Sequence, residues 1–322
     1  MQQDENDLRE LTMADGRFEL REDGTVVTSH VFGMSFFLSG DVTDYAADLI
    51  AVQNGWLDLV GRSRFGWYAT ETMSKHRKAN AKTLALLASW LAPDAPKRDY
   101  IAMMLKDGSE YDEPGAAIFR IFAHPAYDPA KSLPAYLHLA MPAGEAAERL
   151  EVLESVFVSV SGRLPVCSAQ GGWGIETSPY FQEESHTAAW AFSMRHPGLD
   201  VFTGIDDRRA ARLDGLRTVN WLTAIGSDLL ADVGGSESLR KLLPSEVTMV
   251  PLPNGGLVLR AGPAPEIGDV NRRDRIPAYS AVNAALRPLI DRCVPRAMDF
   301  DIRNDDEGTA TPRWFRRFAG PS

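Results

Sequence analysis

Cysteine is nearly missing. Cys167 and Cys293 are the only two in the chain, which excludes a disulfide framework and a thiolate zinc set. Both are expected to be small buried hydrophobes, since a reactive thiol needs a histidine beside it in space. Long apolar runs are also missing: no stretch reaches the roughly 18 residues that cross a bilayer. The start, MQQDENDLRE, is acidic and lacks the basic-then-apolar order of a secretory signal. A cytoplasmic protein with no membrane partner is expected. Positive charge is in deficit, with 34 Lys and Arg against 44 Asp and Glu, a net charge of -10. Such a surface repels phosphate and disfavours nucleic acid as a partner. The deficit is uneven. Residues 1–160 hold 24 acids against 15 bases, and residues 161–322 hold 20 against 19. The acidic half suits a basic partner; ordinary solubility charge is the competing explanation.

Catalytic motifs are absent as well. There is no phosphate-binding P-loop, no Gly-x-Ser-x-Gly elbow and no His-Glu-x-x-His. GGWG (Gly171 to Gly174) is too short for a dinucleotide fingerprint and reads as a strand or bulge on which Trp173 packs. The six histidines, His30, His76, His124, His138, His186 and His196, are scattered without metal-ligand spacing. The carboxylate pairs Glu183-Glu184 and Asp206-Asp207 are sequence neighbours whose side chains diverge on a strand or a helix. No catalytic residue, metal ligand or cofactor is expected.

What is present is globular composition, 44% apolar and 24% charged. The length suits two ordinary domains, or one large one with an internal duplication. VVTSHVFGMSFFLSG reads as strand. In the segment after it, Tyr45, Leu49, Val52, Trp56 and Leu59 recur at helical spacing. Asp41 and Asp44 lie where a cap and first-turn acid belong, and Gly61 suits the stop. A short strand at Phe65–Tyr68 and a helix over Ser74–Leu91 are expected next. YIAMMLKDG and AAIFRIFAH are strands joined by the acidic loop DGSEYDEPG.

AYLHLAMPAGEAAERLEVLESVFVSVSGR lies on SFFLSGDVTDYAADLIAVQNGWLDLVGR at a constant offset of 101 residues. Leu139, Leu150, Phe157 and Gly162-Arg163 fall opposite Leu38, Leu49, Trp56 and Gly61-Arg62. The match suggests two related α/β halves from an internal duplication, with chance likeness of two amphipathic helices as the alternative. Downstream come helices near Glu183–Arg195 and over SESLRKLLP. VTMVPLPNGGLVLRAG is a hairpin around Asn-Gly-Gly, and the last helix, AYSAVNAALRPLIDRC, is interrupted near Pro288. The elements predict an α+β fold with mixed, largely antiparallel sheets and packed helices. The division runs at 1–115 and 116–322, unless the two units form one continuous globule. Trp56, Trp90, Trp190 and Trp221 fall in apolar periodic runs and read as core. The late arginines (Arg208, Arg209, Arg212; Arg272, Arg273, Arg275; Arg313, Arg316, Arg317) have acids among or near them and read as intramolecular ion pairs.

The C-terminal part carries HPGLDV (His196 to Val201), VNWLTAIGSDLL (Val219 to Leu230), GGLVLRAGPAPEIGDVNRRDRIPAYSAVNAALRPL (Gly255 to Leu289) and WFRRF (Trp314 to Phe318), in that order. As a set these resemble the type VI secretion immunity family paired with restriction-endonuclease-like nuclease toxins. The resemblance implies function by binding: such a protein holds a co-encoded toxin inactive in the cell that makes it, and no catalytic residues come with the family. The implied partner is a cognate toxin of the DNase class. An acidic loop suits a cleft built to hold DNA. The candidates are Glu110, Tyr111, Asp112 and Glu113 of DGSEYDEPG, with Asp206 and Asp207 second. The loop AGPAPEIGDVNRRDRIPAY (Ala261 to Tyr279) reads as fold-defining. Asp269, Arg272, Arg273, Asp274 and Arg275 are expected to tie it down by charge-assisted hydrogen bonds, with partner contact as the alternative. From the residues alone, an uncharacterised enzyme whose site is assembled from distant residues and a binding module unrelated to toxins remain open.

Overall fold

A computed structural model describes residues 18–22, 24–123, 134–203, 212–293, 300, 302 and 308–318. One eleven-stranded sheet organises it. In chain order its strands are β1 (Thr28–Leu38), β2 (Trp67–Thr70), β3 (Arg77–Lys78), β4 (Ile101–Lys106), β5 (Ile118–Ala123) and β6 (Ala135–Pro142). Then come β7 (Val166–Thr177), β8 (Asp200–Phe202), β9 (Leu222–Ile225), β10 (Val247–Pro251) and β11 (Leu257–Ala261). Across the sheet the order is β10-β11-β9-β7-β1-β6-β5-β4-β2-β3, with β8 added to the far end of β7. Every pairing is antiparallel except β7 with β8. Strands from both sides of residue 115 share the sheet, because β4 pairs with β5 from Ile101↔Ala123 to Lys106↔Ile118.

The helices are α1 (Ala46–Val60), α2 (Ala81–Leu84), α3 (Leu86–Trp90), α4 (Ala143–Ala146), α5 (Leu150–Arg163) and α6 (Gln182–Arg195). They continue as α7 (Ser227–Asp232), α8 (Gly235–Leu242), α9 (Pro277–Ala285), α10 (Arg287–Ile290) and α11 (Ala310–Phe315). Strand alternation sorts β1 into two faces. Phe32, Met34, Phe36 and Leu38 enter the large core with α1, α5, α6 and α11. There Phe36 meets Phe157 of α5 with ring centroids 5.3 Å apart, and Trp56 of α1 donates its indole N–H to the Ile118 carbonyl at 2.8 Å. The opposite face carries Val31, Ile118, Ala140 and Phe202, then Phe37 and Tyr136.

The two segments that match at the 101-residue offset both form strand–helix–strand crossovers. α5 links β6 to β7, which lie on either side of β1 and run parallel to each other. α1 links β1 to β2, which also run parallel, with β6, β5 and β4 between them. The crossings span different numbers of strands, and the structure does not show an internal duplication. Local departures from expectation have local causes. α1 starts at Ala46 with no side-chain cap, because its N-cap position falls on Tyr45; Asp41 lies in the preceding turn and accepts from Thr43 N at 2.9 Å. No helix begins at Ser74: Arg77 and Lys78 pair with β2 as an edge strand. Asn80 then starts α2 with a capping box that accepts from Lys82 N and Thr83 N.

The Ala261–Tyr279 loop is fixed by groups outside it and by bonds of its own. Trp173 donates to the Pro265 carbonyl at 3.1 Å and Gly198 N to that of Ile267 at 2.9 Å. Tyr279 OH accepts from Glu266 N at 3.1 Å. Asp269 accepts from Asn271 N at 2.9 Å and pairs with Arg195 at 3.1 Å. Of the expected arginine tethers only Arg272 reaches a carboxylate, Asp269 at 3.7 Å. Arg273 and Arg275 are exposed and pair with none of the described carboxylates.

Candidate functional site

The loop from Asp107 to Gly115 joins β4 to β5, so its ends are held at strand spacing. Gly108 and Gly115 turn it, with φ of +111° and +79°, angles that side chains disfavour. Two of its carboxylates are consumed inside it. Asp107 accepts from Ala116 N at 2.6 Å and Ala117 N at 2.9 Å, and its other oxygen meets Arg64 at 3.0 Å. Glu113 accepts from Ser109 N at 2.7 Å, Ser109 Oγ at 2.9 Å and Glu110 N at 3.3 Å. Glu113 thus shapes the loop, leaving less of its charge to face outward.

Beneath the loop lies Lys106, the last residue of β4 and fully buried. Its ammonium donates to the Glu110 carbonyl at 3.5 Å and to the Glu113 carbonyl. Burial pulls its pKa down from 10.5 to about 8, against the pull of Glu113, Asp107 and Asp112. Trp67 donates to the Gly108 carbonyl at 3.0 Å, and Ser178, just past β7, donates to that of Asp112 at 2.6 Å. The backbone is therefore tied to β2, β4 and the end of β7.

Aromatic rings line one side. Tyr111 meets Tyr180 edge-on at 5.4 Å and Trp67 at 6.3 Å. Tyr180 OH takes the His76 backbone N–H at 3.2 Å and lies 3.0 Å from His76 Nδ1. Burial, with Lys106 and Arg120 nearby, pushes the His76 imidazole down to about 3, so it is neutral at physiological pH. Lys75 sits 5.4 Å from the Tyr111 ring centre, and Lys78 covers Trp67 at 3.6 Å. Glu110 is exposed and Asp112 half-buried; neither carboxylate has an ion-pair partner among the described residues. Four candidates thus come together on one anchored loop. Asp206 and Asp207 lie outside the described residues.

Sequence reading did not find Trp67, His76, Lys106 or Tyr180. Lys106 looks like the polar end of an apolar strand, and Tyr180 lies some 70 residues from Tyr111, so only the fold joins them.

The opposite sheet face holds a second polar cluster. Ser35 Oγ lies 2.9 Å from His138 Nδ1, and His138 Nε2 lies 2.5 Å from Glu176 Oε1. Arg120 pairs with Glu176 at 3.2 Å. Burial works against ionising Glu176, but Arg120 and His138 outweigh it and hold the carboxyl below its ordinary range. The order hydroxyl, imidazole, carboxylate matches that of a nucleophile relay. Here, however, Ser35, His138 and Glu176 are fully buried, and Phe202 lies 4.7 Å from the imidazole. Buried in this way, the cluster binds β1, β6, β5 and β7 together. Cys167 and Cys293 are also sheltered, with thiols raised by burial to about 11 and about 12. Among the described residues no group of three His, Cys, Asp or Glu is placed to hold a metal ion.

The family model TsiV, type VI immunity for VRR-NUC, matches residues 58–318. The match extends far upstream of the motifs between His196 and Phe318 and includes the acidic loop. Among solved structures, the Pseudomonas aeruginosa T6SS protein PA0821 is similar in fold. Its TM-score is 0.80 at 18% identity, with 99% of this chain and 91% of that chain covered. No curated protein matches the chain.

Proposed function

The chain belongs to the TsiV family of type VI immunity proteins for VRR-NUC, and from that premise we propose that it neutralises a cognate VRR-NUC nuclease by seating the Glu110–Glu113 loop in the cleft that receives DNA. The protein acts by stoichiometric binding, without turnover, in the cytoplasm where that nuclease would meet DNA. One observation carries the loop assignment. Asp107, Glu113, Lys106, Trp67 and Ser178 hold the backbone in place before any partner arrives, while Glu110 and Asp112 have no ion-pair partner among the described residues. A loop already ordered loses little conformational entropy on docking. Free carboxylates on an acidic chain steer it towards a cleft made electropositive for phosphate. Tyr111 supplies the amphipathic aromatic typical of binding hot spots. Neutralising a lethal enzyme calls for a Kd of about 1 nM or below, near -12 kcal/mol.

The test is competition. Nuclease, duplex DNA and this protein are mixed, and DNA binding by a catalytically inactive nuclease is followed as the protein is added. The proposal expects DNA to be displaced, and displacement to weaken when Glu110 and Asp112 are changed to Lys. A ternary complex with DNA still bound would place inhibition away from the cleft.

A further inference from the structure

The tip of the Ala261–Tyr279 loop carries the opposite charge to the Glu110–Glu113 loop. We propose that its tip, Val270 to Arg275, is a second contact with the same nuclease, in which arginines seat on carboxylates of the toxin surface. This rests on the immunity reading above and adds a second point of attachment.

Three observations converge on the tip. The first is display. Asp269 N bonds the Asp274 carbonyl at 3.1 Å and Asp274 N returns to Asp269 at 3.0 Å, while Arg195 and Asn271 N hold the Asp269 carboxylate. The base is thus closed, and everything beyond it points outward: Arg272 has 78% of its side chain exposed, Arg273 and Arg275 are exposed, and Val270 is 51% exposed.

The second observation is strain. Arg273 has φ of +57°, the one non-glycine residue in the left-handed region among those described. Glycine would adopt that angle freely. The angle closes the turn, with Arg273 N donating to the Val270 carbonyl at 3.2 Å, and glycine would serve that turn at less cost. The arginine side chain placed there has no carboxylate partner among the described residues, so the choice of residue points to an external contact.

The third is charge. Arg272, Arg273 and Arg275 against Asp274 give the six tip residues a net charge of 3 - 1 = +2, on a chain whose total is -10. α11 packs beside the last turns of α6. Its Arg313 lies over Trp190 at 5.2 Å, and Arg316 is exposed beside Arg317, which donates to the Pro197 carbonyl at 2.9 Å, next to the Gly198 that donates to Ile267, so further basic residues lie near the root of the loop. Guanidinium forks match carboxylates with two parallel hydrogen bonds. Nucleic acid fits less well: Asp274 and the exposed Glu266 stand among the arginines, and the tip has no aromatic ring on which a base would stack.

The two loops are also placed to act together. α6 begins two residues after Tyr180, which touches Tyr111, and ends at Arg195, which holds Asp269. Fourteen residues at about 1.5 Å each put the two ends roughly 20 Å apart, a span that one interface of ordinary size covers.

The test uses the full-length chain and the VRR-NUC nuclease encoded beside it. The variant combines Arg273→Gly, which keeps the backbone angle, with Arg272→Gln and Arg275→Gln. The expected results are thermal stability equal to or slightly above wild type, as glycine relieves the backbone angle, an affinity for the nuclease weakened at least about tenfold at low salt, and a shallower salt dependence. Wild-type affinity and salt dependence in the triple variant would overturn the proposal. So would tight binding of the wild-type chain to a 20-base-pair duplex that the variant loses, which would make the tip a phosphate site. If the wild-type chain binds no nuclease, the immunity pairing falls and this proposal with it. If the wild type binds and the variant matches it, only this proposal falls.

Discussion

Replacing Lys106 with Met separates the fold's need for this residue from the loop's need. The ammonium is fully buried and its pKa drops from 10.5 to about 8, so holding its charge at pH 7 costs about 3 kcal/mol. Met removes that cost. It also removes the charged donor to the Glu110 and Glu113 carbonyls, two hydrogen bonds with a net worth of about 1.5 kcal/mol each. The two effects oppose, and the net change in unfolding free energy at pH 7 should stay within about 1–2 kcal/mol. The loop has no such offset. Without its buried tether the segment loosens, and affinity for the nuclease should fall about tenfold or more, mostly through faster dissociation. The pH dependence checks the reasoning. The folded pKa lies below the unfolded one, so between about pH 8 and 10.5 the unfolded chain keeps a proton that the folded chain has released. In that window rising pH stabilises the wild-type fold relative to the variant. Denaturant melts of both proteins should show the difference moving in favour of wild type by about 2 kcal/mol between pH 7 and 9.5. A difference that stays flat over that range would refute the claim of a desolvated ammonium under the loop.

Other expectations are simpler to state. Tyr111→Ala should weaken nuclease binding by about 2 kcal/mol if the ring is a buried anchor, and calorimetry on the complex measures it. Glu176→Gln removes the charge that pairs with the largely buried Arg120 and should cost about 3 kcal/mol in chemical denaturation at pH 7. Because the folded Glu176 pKa is held below its ordinary 4.5, the carboxylate's contribution is present in full above that value. It fades as pH falls through the depressed folded value, so wild type and variant should converge in acid. Gly33→Ala places a Cβ 2.3 Å from the Phe202 ring and should cost at least about 2 kcal/mol; adding Phe202→Ala should recover part of the loss.

The parts of the fold that were legible in the sequence are those written in local pattern. Runs of β-branched and aromatic residues marked the strands, and Asn-Gly-Gly marked the β10–β11 hairpin, where Gly255 has φ of +83°. Spacing marked α1, α5, α6 and α8. The choice of largely antiparallel α+β architecture followed from the hairpin-like connections. Strand order was not legible, because β1 pairs with β6 and β7, more than 90 residues away. For the same reason Ser35, His138 and Glu176 looked unrelated until β1, β6 and β7 were side by side. The acidic loop stood out through its Gly, Pro and carboxylates. Which carboxylates are free did not, since Glu113 and Glu110 differ only in what their backbone neighbours ask of them. The arginines of the Ala261–Tyr279 loop were read as tethers. The structure gives that work to Arg195, Trp173 and Tyr279 and leaves Arg273 and Arg275 facing solvent.

The central claim is that this chain silences its nuclease by occupying it. A titration tests that most directly. DNA cleavage by the purified cognate VRR-NUC nuclease is measured at fixed enzyme concentration while this protein is added. Inhibition by occupancy gives a linear loss of activity that reaches completion at one equivalent, with the end point unmoved by longer preincubation. Undiminished cleavage at several equivalents would contradict it, as would inhibition that deepens with time at far less than one equivalent, the mark of a catalyst.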